Sequence, residues 1–294
     1  MKALIAAALL ALAPAALFAG TTKTTTATLE GKRISVTTYT PSCKPLRGVM
    51  FVFHGASRSS YLSSARRPAD VHCLQVHAPE FPSRQYRSAD YQMGGVKADG
   101  RTSGRTVDMV DDLIAWGLSR AGDTSLPVYL FGHSAGGQFA SRIAAYAPQD
   151  RAARYIIANP STWVLPTGSE RAPYGFDMKA DGKLDATEAA LLKQYVEAPI
   201  TVYLGSDDDQ RDSDLATGAA ADRQGRNRLE RGRNTFEHAK QMAEANGWRF
   251  GWTLVIADGV AHSGGGMLRA PEMAEALATP APVTAPAQPQ CTCK

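Results

Sequence analysis

Ten consecutive residues carry the densest chemical information in the chain: Val128-Tyr-Leu-Phe-Gly132-His133-Ser134-Ala135-Gly136-Gly137. An apolar strand pattern runs into glycine-x-serine-x-glycine, and the helical pattern Gln138 to Tyr146 follows. A strand-to-helix turn this tight has no room for side chains at its flanks. Gly132 and Gly136 clear that space and leave Ser134 projecting from the end of the sheet. The helix that starts just beyond points free N–H groups at any carbonyl oxygen the serine would attack. A serine hydroxyl is a weak nucleophile near neutral pH, so this placement also demands a histidine to take its proton and an acid to fix the imidazole.

Of the six histidines only His238 and His262 follow Ser134. His238 lies in a helical stretch among Glu237, Lys240 and Gln241, whereas His262 sits in the loop Asp258-Gly-Val-Ala-His-Ser, after the last strand pattern. A base belongs in such a loop, so His262 is assigned the role. The acid belongs just past the strand pattern Ile200 to Leu204, where the chain reads Gly205-Ser-Asp207-Asp208-Asp209, and composition does not separate the three carboxylates. Two N–H donors should hold the developing oxyanion, each worth on the order of 3 kcal/mol. Ala135 supplies the first. The second belongs to the loop Phe53-His54-Gly55-Ala56-Ser57, at Ala56 or Ser57, with Ala56 taken as the donor and His54 as a residue that holds the loop.

The elements that must position these groups alternate along the chain. Ala27 to Leu29 and Arg33 to Tyr39 form a hairpin pattern about Glu30-Gly31-Lys32. Gly48 to Phe53 is a nearly unbroken apolar run, the mark of a strand buried on both faces. A helix around Ser59 to Asp70 and a strand at Leu74 to Ala78 follow, then a Pro, Gly and Arg-rich loop. From Thr106 to Ala121, Val107, Val110, Ile114 and Leu118 recur at helical spacing. Strand patterns at Tyr155 to Ala158, Ile200 to Leu204 and Trp252 to Ile256, with a helix at Thr235 to Asn246, continue the alternation, which implies a mostly parallel sheet with helices on both faces. Residues 159–198, with a helix near Ala186 to Tyr195, are too long for a simple crossover and are expected to form a cap or lid insertion.

The elbow Phe-Gly-His-Ser-Ala-Gly-Gly-Gln-Phe at 131–139, with His54-Gly-Ala-Ser-Arg58, Tyr91-Gln-Met-Gly94, Asn159 to Pro166 and Gly259-Val-Ala-His262, resembles secreted α/β-hydrolases related to poly(3-hydroxybutyrate) depolymerases, a group that includes bacterial poly(aspartic acid) hydrolases. The likeness covers roughly residues 45–270. It implies the α/β-hydrolase fold and cleavage of a carboxylic ester or amide through an acyl-enzyme, a chemistry that requires no cofactor and no metal; the alternative is a non-catalytic polymer-binding protein that retains the fold, against which Ser134, an acid and His262 argue. Hydrolases of this fold often show Gly-x-x-Asp after the strand at 200–204, which points to Asp208 as the acid and leaves Asp207 as the alternative. In the resembling proteins an aromatic residue after the strand at 155–158 lines the cleft. Trp163 is therefore a substrate-contact candidate, although its spacing fits core packing equally well. The tail shows no separate polymer-binding domain, which points to a soluble or short substrate.

The sequence of 294 residues is 44% hydrophobic and 20% charged, with a formal net charge of +4. Arg223, Arg226, Arg228, Arg231 and Arg233, against Glu230, concentrate an excess as large as the whole-chain value in one segment. Either this is a solvated helix face or it binds a polyanionic substrate such as poly(aspartic acid), with Arg58, Arg66 and Arg67 adding to the field. No nucleic-acid-binding motif accompanies the charge, which excludes that partner class. Residues 1–20, with Lys2, an apolar run and small residues through Ala19, read as a signal peptide, and 278–294 as a Pro/Ala-rich disordered tail, leaving 21–277 as the catalytic domain. Export would place the protein in the periplasm or outside the cell, without a membrane span once the leader is removed. Cys43 and Cys73 could then pair, while Cys291-Thr-Cys293 is too sparse for a zinc site. Asp177 to Glu188 matches a calcium loop at several positions, but Lys179 stands at the third, where an oxygen ligand belongs.

Overall fold

The run Gly48–Phe53 is buried at every position, which requires cover on both of its faces. In the computed structural model, which describes residues 20–278, it is the third strand of an eight-stranded sheet. The strands are β1 (Thr21–Leu29), β2 (Lys32–Thr40), β3 (Gly48–Phe53), β4 (Leu74–Pro79), β5 (Val128–His133), β6 (Ala152–Ala158), β7 (Ile200–Gly205) and β8 (Thr253–Ala257), in the spatial order β1-β2-β4-β3-β5-β6-β7-β8. The β1–β2 hairpin joins β4 antiparallel, and all pairs from β4 to β8 are parallel. The helices are α1 (Leu62–His72), α2 (Met109–Ala121), α3 (Ala135–Tyr146), α4 (Ala186–Glu197), α5 (Ala219–Asp222), α6 (Arg228–Asn246), α7 (Gly264–Arg269) and α8 (Met273–Leu277).

Side chains alternate along β3 and so divide the core in two. Val49, Phe51 and Phe53 meet Leu113 of α2, Phe139 and Ile143 of α3, Tyr195 of α4 and Ala239 of α6 on one face. Met50 and Val52 meet Leu62 of α1, Met267 of α7 and Leu277 of α8 on the other. The expected cap segment follows β6 and buries Trp163, Val164 and Phe176 with Tyr195 in the first of these clusters. Its backbone is tied to α3, because Arg142 donates to the Thr162 carbonyl at 2.7 Å and the Tyr146 hydroxyl to that of Gly175.

Several boundaries differ from those the sequence predicts. The Thr-rich lead into the hairpin is itself strand, so β1 begins at Thr21; β-branched threonines suit an exposed, pleated edge. Thr106–Asp108 is a 3-10 turn, and the helix proper begins at Met109. The helix expected from Thr235 begins at Arg228, where the Asn227 side chain accepts from Glu230 N at 2.8 Å. The short helices α7 and α8 were not anticipated. Cys43 and Cys73 form a disulfide that ties the β2–β3 connection to the end of α1. The signal-peptide and tail assignments, with Cys291 and Cys293, lie outside the described residues. Among the described residues no helix is long and apolar enough to cross a membrane.

Phe139 sits at the centre of an aromatic cluster, its ring centroid 5.0 Å from Tyr91, 5.2 Å from Phe53 and 5.4 Å from Phe81. Phe139→Ala is expected to lower the unfolding free energy by about 3–5 kcal/mol, read from urea melts. A loss under about 1 kcal/mol would contradict this packing.

Candidate active site

β5 ends at His133 and α3 starts at Ala135, which leaves one residue to reverse the chain. Ser134 does so at φ 55° and ψ −117°, a region that L-residues rarely occupy, and costs of order 1–3 kcal/mol are usual for such conformations. The surrounding backbone fixes it: Ser134 N donates to Ala158 O of β6 at 3.0 Å, and Gln138 N to Ser134 O at 2.9 Å. A Cβ on Gly132 would overlap the Gly136 carbonyl, and one on Gly136 would overlap the Phe53 carbonyl at the end of β3. The two glycines are thus the condition for β3, β5 and α3 to meet.

The loop after β8 brings His262 over this turn. Its Nε2 lies 3.0 Å from Ser134 Oγ, and its Nδ1 lies 2.7 Å from Asp208 Oδ2. Asp208 is almost wholly buried, whereas the His262 side chain is 21% exposed. Asp207, the alternative acid, is exposed and turned to the Ser206 hydroxyl at 2.8 Å. Asp209 is exposed and turned to Gln210. With a proton on Nδ1 shared toward the carboxylate, Nε2 is left as an acceptor for the serine proton, the tautomer that nucleophilic catalysis requires.

The Ala135 N–H, at the first position of α3, donates to no other backbone group, and neither does that of Ala56. Gly55, next to Ala56, lies against the serine, since a Cβ there would stand 3.9 Å from Ser134 Cβ. His54 anchors this loop from below: its Nε2 accepts from Phe81 N at 3.0 Å and its Nδ1 faces Gly55 O at 3.0 Å. Burial lowers its pKa to about 4, so the ring is neutral at neutral pH.

Two features escaped the sequence. The His133 ring lies against His262, with centroids 4.6 Å apart and the planes tilted by 37°, and its Nδ1 lies 3.1 Å from the Tyr61 hydroxyl. Burial first, then the charges of His262 and Arg228, holds His133 well below the usual histidine range. The second is Arg228 at the start of α6, which is fully buried and reaches Asp208 Oδ1 at 3.3 Å. An arginine at the first position of a polar helix looks like a surface residue, and nothing in its spacing signals otherwise.

The arginine cluster is therefore corrected as a substrate-binding surface. Arg228 and Arg231 are buried, the latter donating to the Ser161, Ala216 and Gly225 carbonyls and pairing with Asp222. Arg223 pairs with Glu170 and Arg226 with Glu230, while Arg233 is exposed. Arg223 and Arg226 precede α6, and of the three on it Arg228 and Arg231 turn inward while Arg233 is exposed, so the five do not form one cationic face. Trp163 is corrected in the same way: it is 0% exposed, clamped through its backbone by the Gln224 amide, and touches no cleft. Arg58 is also committed, donating to the Phe81 and Tyr86 carbonyls over the Tyr91 ring. In the calcium-like loop, the Asp177 carboxylate accepts from Asp181 N and Gly182 N, the Glu188 carboxylate from Met178 N and Asp185 N, and Lys179 pairs with Asp185 at 2.7 Å. Among the described residues no three His, Cys, Asp or Glu side chains are grouped to hold a metal ion.

Gly132→Ala should prevent the elbow from closing, because its Cβ meets backbone that cannot turn away; loss of soluble folded protein, or a fall in Tm of several degrees, is the expected result. His54 gives a pH signature. Its folded pKa of about 4 lies below its unfolded value, so the unfolded chain binds more protons between those limits. Stability should fall as pH drops from about 6.5 toward 4, and His54→Gln should make that part of the urea-melt pH profile shallower, the rest of the slope belonging to the buried His77 and His133. An unchanged slope would remove His54 as its source.

No protein-family model and no curated protein matches this chain. Solved structures do. The poly(3-hydroxybutyrate) depolymerase LpqC from Bordetella parapertussis is 29% identical and superposes at a TM-score of 0.76, covering 88% of this chain and 96% of that one. Poly(aspartic acid) hydrolase-1 from Sphingomonas sp. KT-1 is 27% identical at a TM-score of 0.74, covering 84% and 95%. An esterase from Pyrobaculum calidifontis, 16% identical over 87% of this chain and 82% of its own at a TM-score of 0.50, shares the fold. The chain thus has the α/β-hydrolase fold and resembles, within it, the poly(3-hydroxybutyrate) depolymerases and poly(aspartic acid) hydrolases.

Proposed function

We propose that the protein is an exported serine hydrolase that cleaves a carboxylic ester through an acyl-enzyme, with short 3-hydroxybutyrate-type oligoesters as its substrate class. The observation that carries this reading is the unbroken hydrogen-bonded series from Asp208 through His262 to Ser134, beside two N–H groups with no backbone acceptor. Ser134 Oγ attacks the ester carbonyl while its proton passes to His262 Nε2. The carbonyl electron pair moves onto oxygen, which the Ala135 and Ala56 N–H groups hold. When the C–O bond breaks, His262 returns the proton to the leaving alcohol. Water then repeats the sequence on the acyl-enzyme and releases the acid.

Charge favours the neutral ester over the anionic polymer. With Arg228 and Arg231 enclosed and Asp212 paired with Arg228, the exposed carboxylates flanking the acid of the site in sequence and outside any ion pair are Asp207, Asp209 and Asp214. Arg211, in the same loop, is paired with Asp222. Such a rim repels poly(aspartate). Export rests on the leader-like residues 1–20, and the Cys43–Cys73 disulfide supports it, since such bonds persist in oxidising compartments.

A fluorophosphonate probe should label the wild type and not Ser134→Ala. Asp208→Asn should lower kcat on a p-nitrophenyl ester by about 10^3 to 10^4-fold. Product release should be faster from 3-hydroxybutyrate oligomers than from poly(aspartate), and any cleavage of the polyanion should rise with salt as screening relieves the repulsion. Preferred cleavage of poly(aspartate), slowed by salt, would sink the oligoester assignment; absence of both label and product would sink the hydrolase reading.

A further inference from the structure

Arg228 is a buried cation set directly behind the proposed catalytic acid. Its Nη1 lies 3.3 Å from Asp208 Oδ1 and 2.7 Å from Asp212 Oδ2, and its Nη2 lies 2.8 Å from Asp212 Oδ1. Arg228 and Asp208 are enclosed, whereas the Asp212 side chain is 38% exposed. The series runs Asp212, Arg228, Asp208, His262, Ser134, and its contacts are graded. The guanidinium gives its paired, short bonds to Asp212 and a single long one to Asp208, while Asp208 keeps its short bond for His262. We propose that Arg228 and Asp212 are positioning residues for the hydrolysis inferred above: Arg228 turns the Asp208 carboxylate toward His262, and Asp212 draws off enough of the arginine's charge that Asp208 still supports the imidazolium.

The charge count explains why both partners are present. One cation between two carboxylates leaves a single net negative charge beside a neutral His262. When His262 accepts the serine proton, the set becomes neutral, so charge separation at the moment of reaction occurs inside a compensated cluster. Arg228 alone would oppose the imidazolium, and Asp208 alone would be a buried carboxylate with one partner. Burial works against the charge on Arg228, but Asp212 and Asp208 outweigh it and raise its pKa, while Arg228 holds Asp212 well below the usual carboxylate range. The other groups that face His262 are the neutral His133 ring, with Tyr61 behind it, and the Ser134 hydroxyl. Asp207 and Asp258 are exposed to solvent.

The test is the pH profile of kcat/KM on a p-nitrophenyl ester for the full chain and three variants, each checked for fold by circular dichroism and for active sites by fluorophosphonate titration. The acid limb of this profile reports the free enzyme's essential base. Asp212→Asn unmasks the arginine and should move the limb to lower pH by about 0.5–1 unit, whereas Arg228→Met removes the cation and should move it to higher pH by a similar amount. Arg228→Lys keeps the charge without the fork, so the limb should stay near the wild type while kcat falls about 3- to 10-fold. Should Arg228→Met fail to fold, the half-exposed Asp212→Asn and the lysine variant still give the sign. Rates that fall with an unmoved limb, or shifts of one sign in Asp212→Asn and Arg228→Met, would overturn the proposal and leave these residues as structural. A wild type that takes no fluorophosphonate would overturn the hydrolase reading itself and this one with it.

Discussion

The site depends on a close approach of backbones. β3, β5 and the start of α3 come together so tightly that only hydrogen atoms fit at positions 132 and 136, and the chain turns between them through a serine held at positive φ. Every other functional group is placed relative to that point. The parallel order β3-β5-β6-β7-β8 puts the strand ends on one edge. The turn after β3 therefore presents Gly55 and Ala56, the turn after β7 presents Asp208, and the loop after β8 presents His262. The strain at Ser134 is sustained by the hydrogen bond to β6 and by continuous burial of α3, every residue of which is enclosed.

Irregular backbone is the second theme, and buried guanidinium groups support it. Arg142, Arg154, Arg228 and Arg231 rank among the largest fully enclosed side chains. Arg142 donates to the Thr162 carbonyl, Arg231 to those of Gly225, Ser161 and Ala216, and Arg154 to that of Ala278. Carbonyls outside helices and sheets lose water when they are covered and must find donors elsewhere. One planar cation with five N–H groups answers several of them at once. The segments at 159–185 and 206–227 can thus lie against the core with little regular secondary structure of their own beyond the single turn of α5.

This use of arginine separates what was legible in the sequence from what was not. Strand periodicity and the elbow motif are local signals, and they led to the sheet, to Ser134 and to the loop that holds His262. Residue types alone left Asp207, Asp208 and Asp209 open, because adjacent carboxylates differ only in where the turn aims them; the resemblance pointed to Asp208, and the turn sets that side chain beside His262. The start of α6 was missed since its inward positions hold Arg228 and Arg231, which an apolar template rejects. The same bias made those residues look like a cationic surface. Trp163 was ambiguous for a related reason: an aromatic side chain after a strand serves a cleft or a core equally well until the neighbouring chain is seen to cover it. His133 belongs to the motif, yet its contact with His262 arises across 129 residues of sequence, from 133 to 262.

The pairing of Asp208 with Arg228 has a topological consequence. Residues 209–227 leave the sheet and return to one fixed point, so they form a loop clipped at its base. For a loop already closed, lengthening is cheap: each doubling costs only about 0.6 kcal/mol in closure entropy. Apart from Asp212, which Arg228 holds, and Asp222, which Arg231 holds, substitutions and insertions between the clip ends can reshape this loop while Asp208 stays in register with His262. The hydrogen-bonded series and the loop beside it are thereby separate mechanical parts, joined where Arg228 and Arg231 of one helix grip both.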